Sequence, residues 1–262
     1  MAIGAALNGL RPVVEIQFAD FIFPAFNQIV SEAALLYYRS NGEYPVPLVI
    51  RAPYGGGIHG GLYHSQSVEA FFSHVPGLKV VIPSNPYDAK GLLKQSIRDN
   101  NPVLYFEHKR AYNTVKGEVP EDDFTVPIGQ ASVPHQGTGI TLISYGLSVH
   151  HCLEAAIALA TEGISCEVVD LRTVKPLDTA TLLASVQKTG KACIVHEDNL
   201  TSGVGAEVAA ILAEHAFDHL DGPVQRVAAP DVPAFPYSPG LEAAVLPGPE
   251  DIIRAVRKLA AY

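Results

Sequence analysis

Cysteine is scarce in this chain of 262 residues: there are only Cys152, Cys166 and Cys193, an odd number with no Cys-x-x-Cys pair. That argues against the disulfide framework of a small secreted fold and against a structural zinc site, and a reducing compartment fits best. The three lie in or beside apolar segments and read as core. Positive charge is short too. Eighteen Lys and Arg against 27 Asp and Glu leave a net charge of −9, the wrong sign for a chain whose main partner is nucleic acid or an anionic membrane. No apolar run approaches the roughly 18 residues of a transmembrane helix. The opening Met1 to Leu7 lacks the basic region of a signal peptide, and no Arg- and Ser-rich presequence is seen, so the expectation is a soluble protein of the cytoplasm, with the mitochondrial matrix as the alternative. Two catalytic signatures are missing as well. Without Gly-x-Ser-x-Gly the chain is not read as an α/β-hydrolase. Without Gly-Lys-Ser or Gly-Lys-Thr its glycine run is not a phosphate loop.

What the chain has is apolar mass: 48% hydrophobic against 17% charged, enough to bury a sizeable core and, at this length, to form two domains. Strands are expected at 13–18, 46–51, 79–83 and 103–106. A helix over 24–39 is opened by Pro24 and stopped by Asn41-Gly42, and Ser67 is a candidate cap for a short helix through Phe71 and Phe72. Asn85-Pro86 opens another through Ile97. Residues 113–137 mix acids with Pro120, Pro127 and Pro134 and lack periodicity, which places an interdomain linker, narrowed to 125–137. A second alternation follows, with strands at 140–145, 165–171, 191–196 and 223–228, helices at 148–162, 177–188 and 204–216, and a last helix starting at Pro249-Glu250-Asp251. The fold class is therefore α/β, two domains each with a mainly parallel sheet and flanking helices. Residues 2–9 read as the end of a buried, small-residue helix, so the chain is expected to begin partway through a domain.

The densest chemistry lies between Arg51 and Ser67, where Gly55, Gly56, Gly57, Gly60 and Gly61 surround His59, with His64 just beyond. It follows the carboxyl end of a predicted parallel strand, where open α/β sheets bind ligands, and its histidines suit acid, base or donor roles near neutral pH. The alternative is a structural turn with solvated histidines. Zinc on His59, His64 and His74 is disfavoured by their spacing. Gly203-Val204-Gly205 opens a helix but has Val208 where a dinucleotide fingerprint needs its third glycine, so close helix packing is preferred. His196-Glu197-Asp198, at a strand end, is read as pairing at a domain interface rather than as a site.

The run Glu15-Ile16-Gln17-Phe18-Ala19-Asp20-Phe21-Ile22-Phe23-Pro24-Ala25-Phe26, the Arg51–Ser67 stretch, Pro76-Gly77-Leu78-Lys79-Val80-Val81-Ile82-Pro83 and Asp88-Ala89-Lys90-Gly91-Leu92-Leu93 carry a specific resemblance. They resemble the β subunit of thiamine-diphosphate-dependent 2-oxoacid dehydrogenases. Leu62-Tyr63-His64-Ser65-Gln66-Ser67 and Ile22-Phe23-Pro24-Ala25-Phe26 favour the branched-chain type over the pyruvate or acetoin type. Arg172-Thr173 with Pro176, and His196-Glu197, resemble the family's carboxy-terminal domain. The resemblance implies a pyrimidine-binding domain over 1–124 and a transketolase carboxy-terminal domain over 138–262. It also implies pairing with an α subunit, which holds the diphosphate and Mg2+, in an α2β2 heterotetramer, and acyl transfer from a 2-oxoacid to a lipoyl acyltransferase core. By the same resemblance Phe21 packs on the cofactor's aminopyrimidine, His64 is catalytic, and Val46, Leu48, Val49, Ser96, Asp99 and Asn101 hold a structural K+. The family's catalytic glutamate falls upstream of residue 1, and Glu15 is not its equivalent. The chain as given is thus expected to be truncated and inactive alone, with a non-catalytic assembly module as the alternative.

Overall fold

The computed structural model describes all of residues 1–262. The first half runs α1 (Ala2–Leu7), β1 (Val13–Glu15), α2 (Leu36–Arg39), β2 (Val49–Tyr54), α3 (Glu69–Ser73), β3 (Lys79–Val81), α4 (Pro86–Arg98), β4 (Val103–His108) and α5 (Ala111–Thr114). The second runs β5 (Ser132–His135), β6 (Ile140–Ser144), α6 (Ser148–Ala160), β7 (Cys166–Asp170), β8 (Thr173–Lys175), α7 (Thr179–Thr189), β9 (Ala192–Asn199), α8 (Val204–His215), β10 (Gln225–Ala229), α9 (Pro239–Val245) and α10 (Pro249–Ala260). They build two five-stranded sheets, ordered β1-β2-β4-β3-β8 and β10-β9-β6-β7-β5. Within each, every pairing is parallel except at one edge, where β8 and β5 run antiparallel to β3 and β7.

Several elements differ from their sequence expectation for local reasons. β2 begins at Val49 rather than 46 because Pro47 has no N–H to offer the ladder. The helix expected over 24–39 is broken. A 3₁₀ segment (Ala19–Ala25) contains Pro24, a π segment follows (Gln28–Ala33), and only the last turn is α. The wide turn is visible in Ala34 N–H donating to Ile29 O at 3.0 Å, a five-residue step. α1 is present, but only its Ala6 is buried. Ser67 caps nothing: Val68 occupies the N-cap of α3, and the buried Ser67 hydroxyl has no partner. Asn85 does cap α4, accepting from Asp88 N–H at 2.9 Å.

The segment expected as linker contains β5, which borders the second sheet. In return the second half lends β8 to the first sheet. Ile82 N–H donates to Arg172 O at 2.8 Å, and the Arg172 guanidinium meets the fully buried Asp88 through Nε and Nη2, both at 2.9 Å. One apolar cluster spans both halves, joining Ile50, Phe72 and Phe106 to Ile143, Leu171 and Ile194. At about 25 cal/mol per Å² of apolar surface, such burial dominates the folding free energy. The carboxyl ends of β2 and β4 therefore open against the second half rather than into solvent.

Candidate active site at the glycine-rich loop

β2 hands the chain at Tyr54 to the loop 55–67, and the segment after β1 lays Phe18 and Phe21 beside it. The structure brings His64 and Phe21 together: their ring centroids are 5.5 Å apart at 78°. Phe18 completes the group, 4.5 Å from His64 and 5.6 Å from Phe21, each pair edge to face. Lys109, just past β4, holds its ammonium 3.2 Å from the Phe18 centroid, a cation–π contact. Burial lowers the Lys109 pKa, with the charge of Asp20 opposing. Asp20 accepts from Gln66 N–H at 3.3 Å through one oxygen, while the other is buried without a partner. Burial raises its pKa although nearby N–H groups and His64 pull it down. His64 Nδ1 lies 3.2 Å from Gly60 O. A carbonyl only accepts, so Nδ1 carries the proton and Nε2 is the free nitrogen.

The loop itself is gripped from the second half. Gly56 N–H donates to Glu197, and Gly57 N–H to Glu242 Oε1 at 2.9 Å. His59 N–H reaches both Glu242 oxygens at 3.3 Å, and His59 Nδ1 lies 2.6 Å from Oε2. Gly61, at φ +65°, passes under the Tyr237 ring so closely that any Cβ would strike it. Glu197 also takes His108 Nε2 at 2.8 Å. Burial alone would raise the Glu197 carboxyl, but the His108 charge and hydrogen bond, with Gly56 N–H, carry it below the ordinary value. Glu197 thus sits at the domain interface, as its sequence suggested. Its neighbour Asp198 is raised to about 6 by burial, and Glu69 to about 8 by burial and then by the charge of Asp198.

The remaining sequence candidates lie elsewhere. His59 faces Glu242, and His74 borders a separate cleft with Ser202 and Gly203. Gly205 lets α8 close on the buried His196, which stacks on Tyr145 at 12°, so the Gly203-Val204-Gly205 turn is a packing device. Sequence reading missed Glu242, Phe18 and Lys109. Glu242 was hidden because α9 opens on Ser238-Pro239-Gly240, which reads as loop. Lys109 carries no motif, and only β4 and the segment after β1 bring it to Phe18.

Comparison with known proteins agrees with this architecture. Family models for the transketolase pyrimidine-binding domain and the transketolase C-terminal domain match residues 1–115 and 129–252. The β subunit of 2-oxoisovalerate dehydrogenase from Bacillus subtilis is 56% identical over 262 residues, covering all of this chain and 80% of that one. The chain belongs to the 2-oxoacid dehydrogenase β-subunit family. A mitochondrial 2-oxoisovalerate dehydrogenase subunit beta 2 from Arabidopsis thaliana is 49% identical (99% and 72% covered). The pyruvate dehydrogenase E1 β subunit of B. subtilis is 46% identical (99% and 79%). Among solved structures, a split-gene transketolase described as an inactive β4 tetramer matches at TM-score 0.79 and 25% identity, covering 99% of this chain and 79% of that one.

The residues expected to hold potassium come from two neighbouring segments. Val46 and Leu48 lead into β2, and Ser96, Asp99 and Asn101 turn from α4 into β4, so the two groups are neighbours. Several of their oxygens take part in hydrogen bonds, which for a backbone carbonyl leaves a second lone pair open. Arg11 Nη1 donates to Ile97 O at 3.1 Å and Asp99 O at 2.8 Å, and Lys79 pairs with the Asp99 carboxylate. Asn101 donates to the other Asp99 oxygen from its backbone and side chain, at 2.9 and 3.1 Å. The Val46 and Leu48 carbonyls accept from Leu48 and Val103 N–H, while the Ser96 hydroxyl donates to Leu92 O. Arg11 and Lys79 bring positive charge to this turn.

Proposed function

We propose that the chain is the β subunit of a branched-chain 2-oxoacid dehydrogenase. With an α subunit in an α2β2 heterotetramer it decarboxylates a branched-chain 2-oxoacid oxidatively and passes the acyl group to a lipoyl acyltransferase core. The observation that carries this reading is the meeting of Phe21 and His64 at the carboxyl ends of parallel strands. Thiamine diphosphate, its diphosphate and Mg2+ held by the α subunit, supplies the carbanion-stabilising chemistry. The residues here fit such a heterocycle: Phe21 leaves 42% of its surface open beside an orphaned, buried Asp20 oxygen. Phe21 presents the stacking face. With Nδ1 committed to Gly60 O, His64 gives or takes a proton at Nε2 beside the reacting acyl group. Phe18, with the Lys109 ammonium over its face, packs edge to face on the His64 ring.

Two further observations support an α partner. Exposed apolar side chains flank the site, among them Phe23, Tyr63 and Phe71, with Leu35, Tyr37 and Tyr38 nearby in sequence. The split transketolase, similar over nearly the whole chain, is an inactive tetramer as β alone. The pyruvate type is the second reading, favoured only by relatives such as that of B. subtilis at 46% identity. To decide, a β subunit carrying these residues together with the upstream catalytic glutamate that the resemblance implies is co-expressed with a cognate α subunit, and kcat/KM is measured for 2-oxoisovalerate and pyruvate. A preference of at least about 10-fold for 2-oxoisovalerate is expected from one added branched alkyl group. Equal or reversed preference overturns the branched-chain assignment. No turnover, with binding to the acyltransferase's subunit-binding domain retained, assigns a role in assembly alone.

A further inference from the structure

We infer that Glu242, carried on α9 in the second half, is a positioning residue for His64. The inference rests on the function proposed for His64, but its geometry stands independently. Gly56, Gly57 and His59 direct their backbone N–H groups toward the second half, and each meets a carboxylate: Glu197 for Gly56, Glu242 for the other two. Backbone pairing resumes only at the loop's margins, where Gly55 N–H donates to Gln66 O at 3.2 Å and His64 N–H to Gly61 O at 3.4 Å. Between those margins the carboxylates hold the loop. Glu242 is 1% exposed. A buried carboxylate is tolerable only where donors converge on it, and here the backbone N–H groups of Gly57 and His59, with His59 Nδ1, do so.

The connection to His64 is short. His59, held at φ +57°, a conformation unusual for a residue with a side chain, fixes the direction in which Gly60 leaves it. The Gly60 carbonyl in turn receives His64 Nδ1 at 3.2 Å. Glu242 therefore sets the peptide that sets the imidazole's tautomer and aim. Leu246, one turn further along α9, packs against Gly56, and Arg110 crosses Gly57, closing the loop's two sides. If the loop were a solvated turn, neither the buried acid nor the covering side chains would be needed.

The test compares Glu242→Ala with Glu242→Gln in a β subunit that also carries the upstream catalytic glutamate, assembled with its α subunit. Amide hydrogen exchange is followed over residues 55–65, together with the His64 ring-proton NMR shifts. Reductive acylation is measured separately from decarboxylation with an artificial electron acceptor. Truncation to alanine is expected to speed exchange at Gly56 to Gly61 at least about 10-fold, to shift the His64 resonances, and to slow acyl transfer about 10- to 100-fold. KM for the 2-oxoacid should stay within about two-fold. Glutamine keeps an acceptor for the backbone N–H groups and should restore most of the rate. Unchanged exchange, or loosened exchange with unaltered acyl transfer, overturns the inference. If the assembled wild type proves inactive, the proposed function fails. Exchange and the His64 shifts then still decide the positioning role, supporting it if they move and overturning it if they do not.

Discussion

At the scale of single residues, the site is a set of short-range dependencies. Replacing His64 with alanine should leave assembly intact and slow reductive acylation by about 10²-fold or more, the usual contribution of a positioned acid or base. Single-turnover acyl transfer is the measurement, and an unchanged rate would remove His64 from the chemistry. Phe21→Ala should weaken cofactor binding about 10-fold, since an aromatic contact contributes on the order of 1 kcal/mol beyond its area. Phe21→Tyr should bind normally in a calorimetric titration. Both positions were legible in the sequence because they lie within motif-bearing runs. Glu242 was not, because its role depends on backbone N–H groups 183 and 185 positions earlier in the chain. No local pattern encodes that distance.

Elements were legible where their signals are local. Asn85-Pro86 at the start of α4, and Gly248 N–H donating to Asp251 at 3.0 Å in the first turn of α10, follow from capping chemistry within four residues. β5 and β8 were missed because each is defined by an antiparallel neighbour far along the chain, and the π segment because apolar spacing scarcely distinguishes a five-residue step from a four-residue one. The β8 corner gives a test. Arg172→Ala leaves the Asp88 carboxylate buried with the Asn85 amide but no cation beside it, so urea unfolding should show a loss of about 3 kcal/mol. Arg172→Ala together with Asp88→Asn should recover part of it. The turn between α4 and β4 gives another. With Arg11 and Lys79 supplying positive charge there, Arg11→Ala should lower the melting temperature by several degrees. A rise in the wild type's melting temperature in K+ over Na+ would place the expected cation at that turn as well, and no rise would remove it.

Over the whole molecule, the contact between halves carries acids that prefer to stay protonated. Glu69 receives the Tyr145 hydroxyl at 2.8 Å through one oxygen and leaves the other buried without a partner, as suits a neutral carboxyl. A glutamate titrates near 4.3 when unfolded, and Glu69 near 8 in the fold. Between those values the native state holds the extra proton. The stability Glu69 contributes is present below the unfolded pKa and is lost as pH rises through about 8. The wild type should melt lower at pH 8.5 than at pH 6, and Glu69→Gln should narrow the gap. An undiminished gap would place the titration elsewhere. The strand lent by the second half to the first has a consequence for synthesis. While a ribosome is still making residues 130–170, the β3 edge of the first sheet has no neighbour, and it stays open until Thr173–Lys175 emerge. From His108, where β4 ends, to Thr173 the amino-terminal half thus passes through an adhesive stage about 65 residues long, and a gene cut at the apparent linker would make that stage permanent.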